Sequence, residues 1–260
     1  MPRILAGMCL LLSMTNAQAF DISEFRLVDL THTYDDSTIY WPTSETAFEL
    51  KTLAEGETSG GWYYSAKSLC TPEHGGTHLD APIHFDAEGL TADALPLASL
   101  IAPAVVIDVS AKAAKDPAYR LTARDVLDFE RLHGLIPPGA MVLLNTGWSE
   151  RWPDRLAYLG DDTPGDASRL VFPSYGESAA ELLVNQRQVA VLGVDTASID
   201  YGSSDDFLVH RIAAAKNVAG LENLTKLDDL PAVGATVIAL PMKIGGGSGG
   251  PVRVVALVKR

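Results

Sequence analysis

Residues 74–85 read HGGTHLDAPIHF, and this stretch bears most on the fold and chemistry of the chain. It holds three of the six histidines, together with an aspartate and a proline. Imidazole and carboxylate groups are the usual ligands of borderline divalent metals such as zinc and manganese. Such groups are seldom crowded together unless a cation neutralises and orders them. The stretch therefore predicts a metal site and favours a metal-dependent hydrolase.

The candidate ligands within this stretch are His74, His78 and Asp80. Gly75 and Gly76 between the histidines, and Pro82 after them, disfavour a helix, so we expect a tight loop or a strand end. Asp80 lies two residues beyond His78 and would face the same side of an extended segment. Three protein ligands plus an open position are typical of a catalytic metal site. The alternative, a core histidine satisfied by backbone groups, suits any single histidine better than the whole group.

His84 lies four residues after Asp80, beyond the proline, and could stand near an ion without binding it. A neutral imidazole at that point can accept a proton from water and pass one to a leaving group, so we predict a general acid–base role. Two other roles stay open: a fourth metal ligand, or a partner that orients Asp80.

The amino terminus has the features of a secretory signal peptide, predicted to cover residues 1–19 and to precede one domain over residues 20–260. Arg3 supplies a positive start, residues 4–14 are apolar, and residues 17–19 form a small-x-small cleavage site. We therefore expect the mature protein in a periplasm or outside the cell.

The overall charge indicates which classes of molecule the protein is not expected to bind. A net charge of −13 at pH 7 disfavours nucleic acid and anionic membrane surfaces. No second apolar run is long enough to predict a membrane span. Without the leader, Cys70 is the remaining cysteine, so an intrachain disulfide is excluded, and we expect a small buried apolar side chain rather than a reactive thiol.

Valine-rich runs alternate with helical patterns along the chain, which predicts a single α/β domain. The predicted strands are residues 104–109, 141–145, 189–194, 235–240 and 252–258. The predicted helices are residues 123–132, capped by Thr122, then 177–185 and 207–215. Residues 31–90 should be largely β or loop. The glycine-rich segment 245–250 lacks the lysine of a phosphate loop, so it predicts a turn or a mobile loop near the pocket.

The pattern His74-x-Gly76-Thr77-His78-x-Asp80-x-Pro82-x-His84 resembles the signature of the cyclase-like metal hydrolases, which include bacterial kynurenine formamidases and isatin hydrolases. Weaker similarities follow in the order of the family, at residues 144–148, 193–196, 220–224, 240–244 and 249–253. The resemblance covers nearly all of the mature chain. It implies a swivelling β/α fold with a mixed β-sheet or barrel-like β core flanked by helices.

Carried over by position, the resemblance implies five metal ligands and two further site residues. The implied ligands are His74, His78, Asp80, His210 and Glu222. They would hold zinc or manganese, one or two ions per subunit, and Glu222 favours two. His84 matches the proton-transfer histidine. Trp41 would pack against the substrate, unless it is an ordinary half-buried loop aromatic.

The same resemblance implies hydrolysis of a carbon–nitrogen bond in a small linear or cyclic amide, with an aromatic substrate expected. The ion would activate water for attack on the carbonyl, and His84 would serve as the general acid–base. A homodimer or higher homo-oligomer is expected. The alternative function is a periplasmic metal-binding or carrier protein without turnover, which would need the ligands but no positioned base.

Overall fold

The computed structural model describes residues 20–260, so the predicted signal peptide lies outside the described residues. The strands are β1 (Phe25–Asp29), β2 (Glu49–Glu57), β3 (Tyr63–Cys70), β4 (His78–Asp80), β5 (Ile101–Asp108), β6 (Arg120–Leu121), β7 (Met141–Asn145), β8 (Ser174–Tyr175), β9 (Val191–Val194), β10 (Ala219–Glu222), β11 (Val233–Pro241) and β12 (Gly249–Lys259). The α-helices are α1 (Leu97–Leu100), α2 (Ser110–Ala113), α3 (Ala123–His133), α4 (Arg155–Leu159), α5 (Glu177–Glu181) and α6 (Leu208–Ala214). Within residues 20–260, no helix is both long and apolar enough to cross a bilayer.

The five strand predictions correspond to β5, β7, β9, β11 and β12. Helix α3 begins after Thr122, whose side chain accepts a hydrogen bond from the backbone of Asp125 in a capping box, as the sequence indicated. Helix α5 is shorter than predicted, because the chain continues into a π-helical turn over Leu182–Gln186. Helix α6 matches the third prediction closely.

The main sheet has eight strands in the order β1-β12-β11-β5-β7-β9-β10-β4, and a further pairing of β4 with β12 closes it. The pairs among β5, β7, β9 and β10 are parallel, whereas β4, β11, β12 and β1 pair antiparallel. This closed mixed sheet with few flanking helices confirms the predicted single α/β domain with a barrel-like β core.

Alternate residues of the central strands belong to two separate buried apolar clusters. Along β7, Met141 and Leu143 join the cluster inside the closed sheet, whereas Val142 and Leu144 join a cluster beneath the helices. Successive side chains of a strand point to opposite faces, so a strand covered on both sides is apolar throughout. This double burial explains the continuous apolar runs in the sequence. The sheet formed in this way positions the polar residues of β4 and β10.

Strands β2 and β3 pair with each other and with no other described strand, forming a hairpin with little burial. Leu50 lies opposite Leu69, and the two residues are 52% and 56% exposed. Cys70, at the end of β3, is also exposed. The expectation of a buried Cys70 was wrong, because residues 63–70 contribute to this outlying hairpin and not to the core.

Candidate metal centre

Strands β4 and β10 bring the central part of the 74–85 stretch beside Glu222. In their antiparallel register His78 lies opposite Glu222, and Asp80 lies opposite Gly220. Leu79 is fully buried inside the closed sheet, so its neighbours His78 and Asp80 project from the other face of β4. The strand end predicted from the sequence is therefore present, and it presents two candidate ligands on one side.

The first group of candidate ligands is His74, His78 and Asp80, whose nearest ligand atoms all lie within 4.8 Å of one another. Asp80 Oδ1 lies 2.6 Å from His74 Nδ1 and 3.1 Å from His78 Nε2. His78 and Asp80 are buried, and His74 is partly accessible.

The second group is Asp80, His210 and Glu222, within the same 4.8 Å limit, and all three residues are buried. His210 Nε2 lies 3.0 Å from Asp80 Oδ2 and 3.1 Å from Glu222 Oε1. The two oxygens of Asp80 thus face different groups. The structure therefore brings together all five candidate ligands named in the sequence analysis. Two of them, His210 and Glu222, lie more than 120 residues after Asp80 in the chain.

The donor set suits a borderline divalent cation. Imidazole nitrogens and carboxylate oxygens, without thiolates, are ligands that zinc and manganese both accept. Two groups that share one carboxylate have the composition expected for either one ion or two. The residues present therefore fit the cofactor that the sequence implied.

The Gly75-Gly76 pair lets the chain turn tightly before β4. Both glycines have positive φ, at +147° and +56°, where other residues are strained. A Cβ on Gly75 would lie 2.1 Å from the Tyr40 ring, and one on Gly76 would lie 2.6 Å from the Tyr34 ring. The turn therefore requires glycine for both conformation and space.

Two of the histidines have their second ring nitrogen fixed by an acceptor. His78 Nδ1 donates to the Gly76 carbonyl at 2.9 Å, which directs Nε2 toward the carboxylates. His210 Nδ1 lies 2.6 Å from Asp200 Oδ2, and Asp200 also accepts the backbone N–H groups of Val209 and His210 at the start of α6. Such outer partners set ring orientation and ligand basicity at metal sites.

Sequence reasoning missed Asp200. It lies in the loop that follows β9, and carboxyl ends of parallel strands commonly carry functional residues. Its place after a predicted strand marked Asp200 as a candidate functional residue, but no spacing or pattern in the sequence linked it to His210.

Within the cluster, burial and the neighbouring charged groups shift the pKa of each residue in opposite directions. Burial lowers the pKa of His78, but Asp80 and Glu222 outweigh it and raise the pKa to about 9. Burial also lowers the pKa of His210, yet Asp200, Asp80 and Glu222 raise it well above its usual value. Burial raises the pKa of Asp80, whereas the adjacent histidines hold it well below its ordinary range. The carboxylates thus create a strong preference for positive charge at this position.

His84 ends a short 3-10 helix over Pro82–His84 and stacks on His74, with ring centroids 3.8 Å apart. It is reached by solvent but is crowded by protein atoms, and this desolvation lowers its pKa to about 4, assisted by nearby His74 and His210 and opposed by Asp80. The lowered pKa makes the imidazole a weaker base but keeps it neutral at pH 7, so one ring nitrogen retains a free lone pair. Its place beside the ligand cluster suits the predicted acid–base role.

A pocket of about 290 Å³ opens above the cluster. Trp41 lines it, with its ring 6.3 Å from the rings of Phe172 and Phe207. Phe85 and Phe207 also line the pocket, and neither was singled out from the sequence. These aromatic rings give the pocket an apolar wall beside the polar cluster, with Phe85 only 4.5 Å from the ring of His210, and such a wall suits a small ligand with a planar apolar part.

The motif at residues 193–196 serves a different purpose. Asp195 is buried and accepts hydrogen bonds from the backbone and hydroxyl of Thr146 and from the backbone of Trp148. It therefore ties the end of β9 to the loop after β7 and lies outside the two ligand groups.

Comparison with known proteins identifies relatives of this chain in sequence and in structure. The chain is 35% identical to an isatin hydrolase of Roseibium aggregatum over 221 residues, which are 82% of this chain and 81% of the relative. It is 28% identical to a kynurenine formamidase of Salinibacter ruber, covering 88% of this chain and 96% of the relative. The solved structure of isatin hydrolase A from Ralstonia solanacearum matches with a TM-score of 0.80 and 36% identity, over 91% of this chain and 93% of that one.

The protein family called Cyclase matches residues 28–201, which include the entire 74–85 stretch. Both this match and the similarity to isatin hydrolase extend over most of the described fold. The resemblance inferred from the sequence is confirmed, and the chain belongs to the Cyclase family.

Proposed function

We propose that this protein is a metal-dependent hydrolase that cleaves the carbon–nitrogen bond of a small cyclic or N-formyl amide. The observation that carries the proposal is the convergence of two ligand groups on Asp80, at the base of an aromatic-lined pocket that also holds a neutral histidine. The predicted enzyme class, a hydrolase of non-peptide carbon–nitrogen bonds, is confirmed by the family and by the relatives named above.

His74, His78 and Asp80 would hold one divalent ion, and Asp80, His210 and Glu222 would hold a second. Zinc or manganese bound there would lower the pKa of a water molecule and polarise the carbonyl oxygen of the substrate. The buried carboxylates would hold the cation, while the fixed outer nitrogens of His78 and His210 keep their ring orientations.

His84 supplies the proton transfers in this proposal. Its neutral ring can take a proton from the attacking water and deliver it to the departing nitrogen. Water adds across the bond, so the carbonyl carbon gains a hydroxyl group and the nitrogen gains a hydrogen. Stacking on His74 holds the ring of His84 beside the ligands and directs this transfer.

An aromatic amide is the substrate class that we favour, because Trp41, Phe85 and Phe207 give the pocket an apolar wall. The names of the relatives, isatin hydrolase and kynurenine formamidase, point to a fused-ring lactam and an N-formylated aniline derivative. A pocket of about 290 Å³ is of the size that such small molecules fill.

The test is to load the purified protein with zinc or manganese and to assay isatin-like lactams, formanilides and simple lactones by mass spectrometry. We expect ring opening or deformylation with at least one aromatic amide, abolished by a chelator and restored by the metal. Tight metal binding with no turnover of any compound would favour the carrier alternative and contradict the proposal.

We also propose that the protein acts as a homodimer after export to a periplasm or to the exterior. The exposed leucines and aromatic residues of the β2–β3 hairpin support a second copy as partner, since Trp62, Tyr63 and Tyr64 are 62%, 66% and 53% exposed. The signal-peptide features of residues 1–19 support export. A fusion of that segment to a reporter enzyme that is active only in the periplasm tests it, and no reporter activity would contradict export.

A further inference from the structure

The third ligand histidine, His74, has an outer partner of a different kind from those of His78 and His210. His74 Nε2 lies 2.8 Å from Ser248 Oγ. Ser248 belongs to the glycine-rich segment 245–250, for which sequence analysis predicted a turn or a loop near the pocket. Glu73, the residue before His74, completes a chain of contacts, because its Oε2 lies 2.6 Å from Ser248 Oγ and 3.1 Å from Ser248 N.

The direction of these hydrogen bonds follows from the number of hydrogens. A serine hydroxyl has one hydrogen, and the carboxylate of Glu73 can only accept. The hydroxyl of Ser248 therefore donates to Glu73, and its oxygen accepts the Nε2–H of His74. A neutral His74 held in this way has its lone pair on Nδ1.

That lone pair faces Asp80. The Nδ1 atom of His74 and the Oδ1 atom of Asp80 are 2.6 Å apart, and with the tautomer fixed both are acceptors. Two acceptors at this distance repel each other unless a cation or a proton lies between or beside them. The chain from Glu73 therefore prepares Nδ1 as the donor atom for a metal.

We infer that Glu73 and Ser248 are positioning residues that set the tautomer and orientation of His74 for metal binding. This inference rests on the proposed metal site. It assigns a role to the glycine-rich turn, whose backbone packs against both residues. A Cβ on Gly249 would lie 2.7 Å from His74 Cε1, and one on Gly247 would lie 2.6 Å from Glu73 Oε1.

Backbone hydrogen bonds hold the turn at this position. The Ser248 carbonyl accepts from Ala81 N at 2.8 Å, just after β4, and the Gly247 carbonyl accepts from Ala92 N at 2.9 Å. The hydroxyl of Ser248 can therefore be removed while the path of the turn is retained, so its contribution to His74 can be measured separately.

The experiment measures the dissociation constant of zinc and of manganese by competition with a chromogenic chelator. We expect Ser248→Ala and Glu73→Gln to weaken binding about 10- to 100-fold, the range typical of outer partners of metal-binding histidines. Ser248→Thr keeps the hydroxyl and should stay within about threefold of the wild type. In the zinc-loaded wild type, the ¹⁵N resonances of the His74 ring should show Nε2 protonated, and Ser248→Ala should lose that fixed tautomer.

Thr91→Val is the matched control. Thr91 donates to Asp93, which accepts from Gly246 N, so this variant loosens the same turn without touching His74. All proteins are compared at one temperature, at which every metal-free form is folded. Wild-type affinity in Ser248→Ala, or equal weakening in Thr91→Val, would overturn the positioning role. Absence of metal binding by the wild type would instead overturn the proposed function.

Discussion

At the scale of single residues, the chemistry depends on how neighbouring groups change each imidazole. His84 and His78 lie six residues apart in sequence, yet their pKa values move in opposite directions, to about 4 and about 9. His84 is desolvated with other histidines nearby, whereas Asp80 and Glu222 flank His78. One side chain type can therefore supply a neutral base and a ligand that must lose a proton before it binds metal.

Replacing His84 by alanine tests the base directly. We expect turnover of the best substrate to fall by about 100-fold or more, because general acid–base catalysis contributes that much, while metal content stays unchanged. The measurement is kcat together with metal analysis of the purified variant. His133→Ala, a change of an exposed histidine in α3, is the control and should leave both values unchanged. Full activity in His84→Ala would remove this residue from the mechanism.

The raised pKa of His78 predicts how metal affinity depends on pH. Because this pKa is about 9, the imidazole of the metal-free protein stays protonated at lower pH, and a metal must displace that proton to reach Nε2. Affinity should therefore rise about tenfold per released proton for each unit between pH 7 and pH 8. Chelator treatment first removes any metal from the protein. Titration calorimetry with added metal, in buffers of different ionisation enthalpy, then counts the protons released on binding. An affinity that does not change over this interval would contradict the prediction.

At the scale of elements, the first turn of α3 shows that a sequence pattern can specify local structure closely. Burial raises the pKa of Asp125, but Lys112, Thr122 and Tyr119 outweigh it by hydrogen bonding and lower the pKa to about 2. The ionised carboxylate therefore stabilises the folded state. Thr122 and its capping-box partner lie three residues apart, which is why the start of this helix could be predicted.

The shifted pKa of Asp125 gives a stability prediction with a definite sign. Because the folded pKa is lowered below the ordinary 3.8, its contribution is fully present above that value and is lost as pH falls toward about 2. Asp125→Asn should be less stable than the wild type by about 1 kcal/mol at pH 6, because solvent screens part of the interaction with the exposed Lys112, and the gap should close toward pH 2. Urea unfolding of metal-free protein measures it. Asp128→Asn, in the same helix, is the control, and a gap independent of pH would contradict this account.

At the scale of the whole molecule, the hairpin of β2 and β3 leaves most of its side chains exposed within the described residues 20–260. Two-stranded hairpins are marginally stable by themselves in water. The cross-strand pair Leu50 and Leu69 is about half exposed, and the aromatic residues at 62–64 extend the apolar surface. Burial against a second copy would stabilise both the hairpin and the assembly.

A paired charge substitution tests that dimer. Leu50→Lys with Leu69→Glu removes the apolar pair but keeps an attractive cross-strand pair, so the hairpin itself is retained. We expect wild-type protein to have twice the chain mass in light scattering after size exclusion, and the double variant to have the mass of one chain. Leu132→Lys with Leu135→Glu, at leucines 73% and 77% exposed elsewhere, should remain dimeric. A monomeric wild type, or an unchanged double variant, would contradict the proposal.

The sequence by itself determined the local features of this protein. The closely spaced ligands His74, His78 and Asp80, the strand runs and the capping box all depend on neighbours within a few residues, and periodicity or spacing reports such neighbours directly. The resemblance added His210 and Glu222 by position, although spacing alone could not have joined them to the stretch.

Tertiary structure decided the rest, because pairing in a closed sheet brings together residues remote in the chain. The register of β4 against β10 places Glu222 opposite His78, and helix α6 directs His210 toward Asp80. Asp200 and Ser248 gain their importance only from contacts that have no sequence signature. The exposed position of Cys70 likewise follows from where the hairpin lies, since burial depends on which other segments of the chain cover a residue.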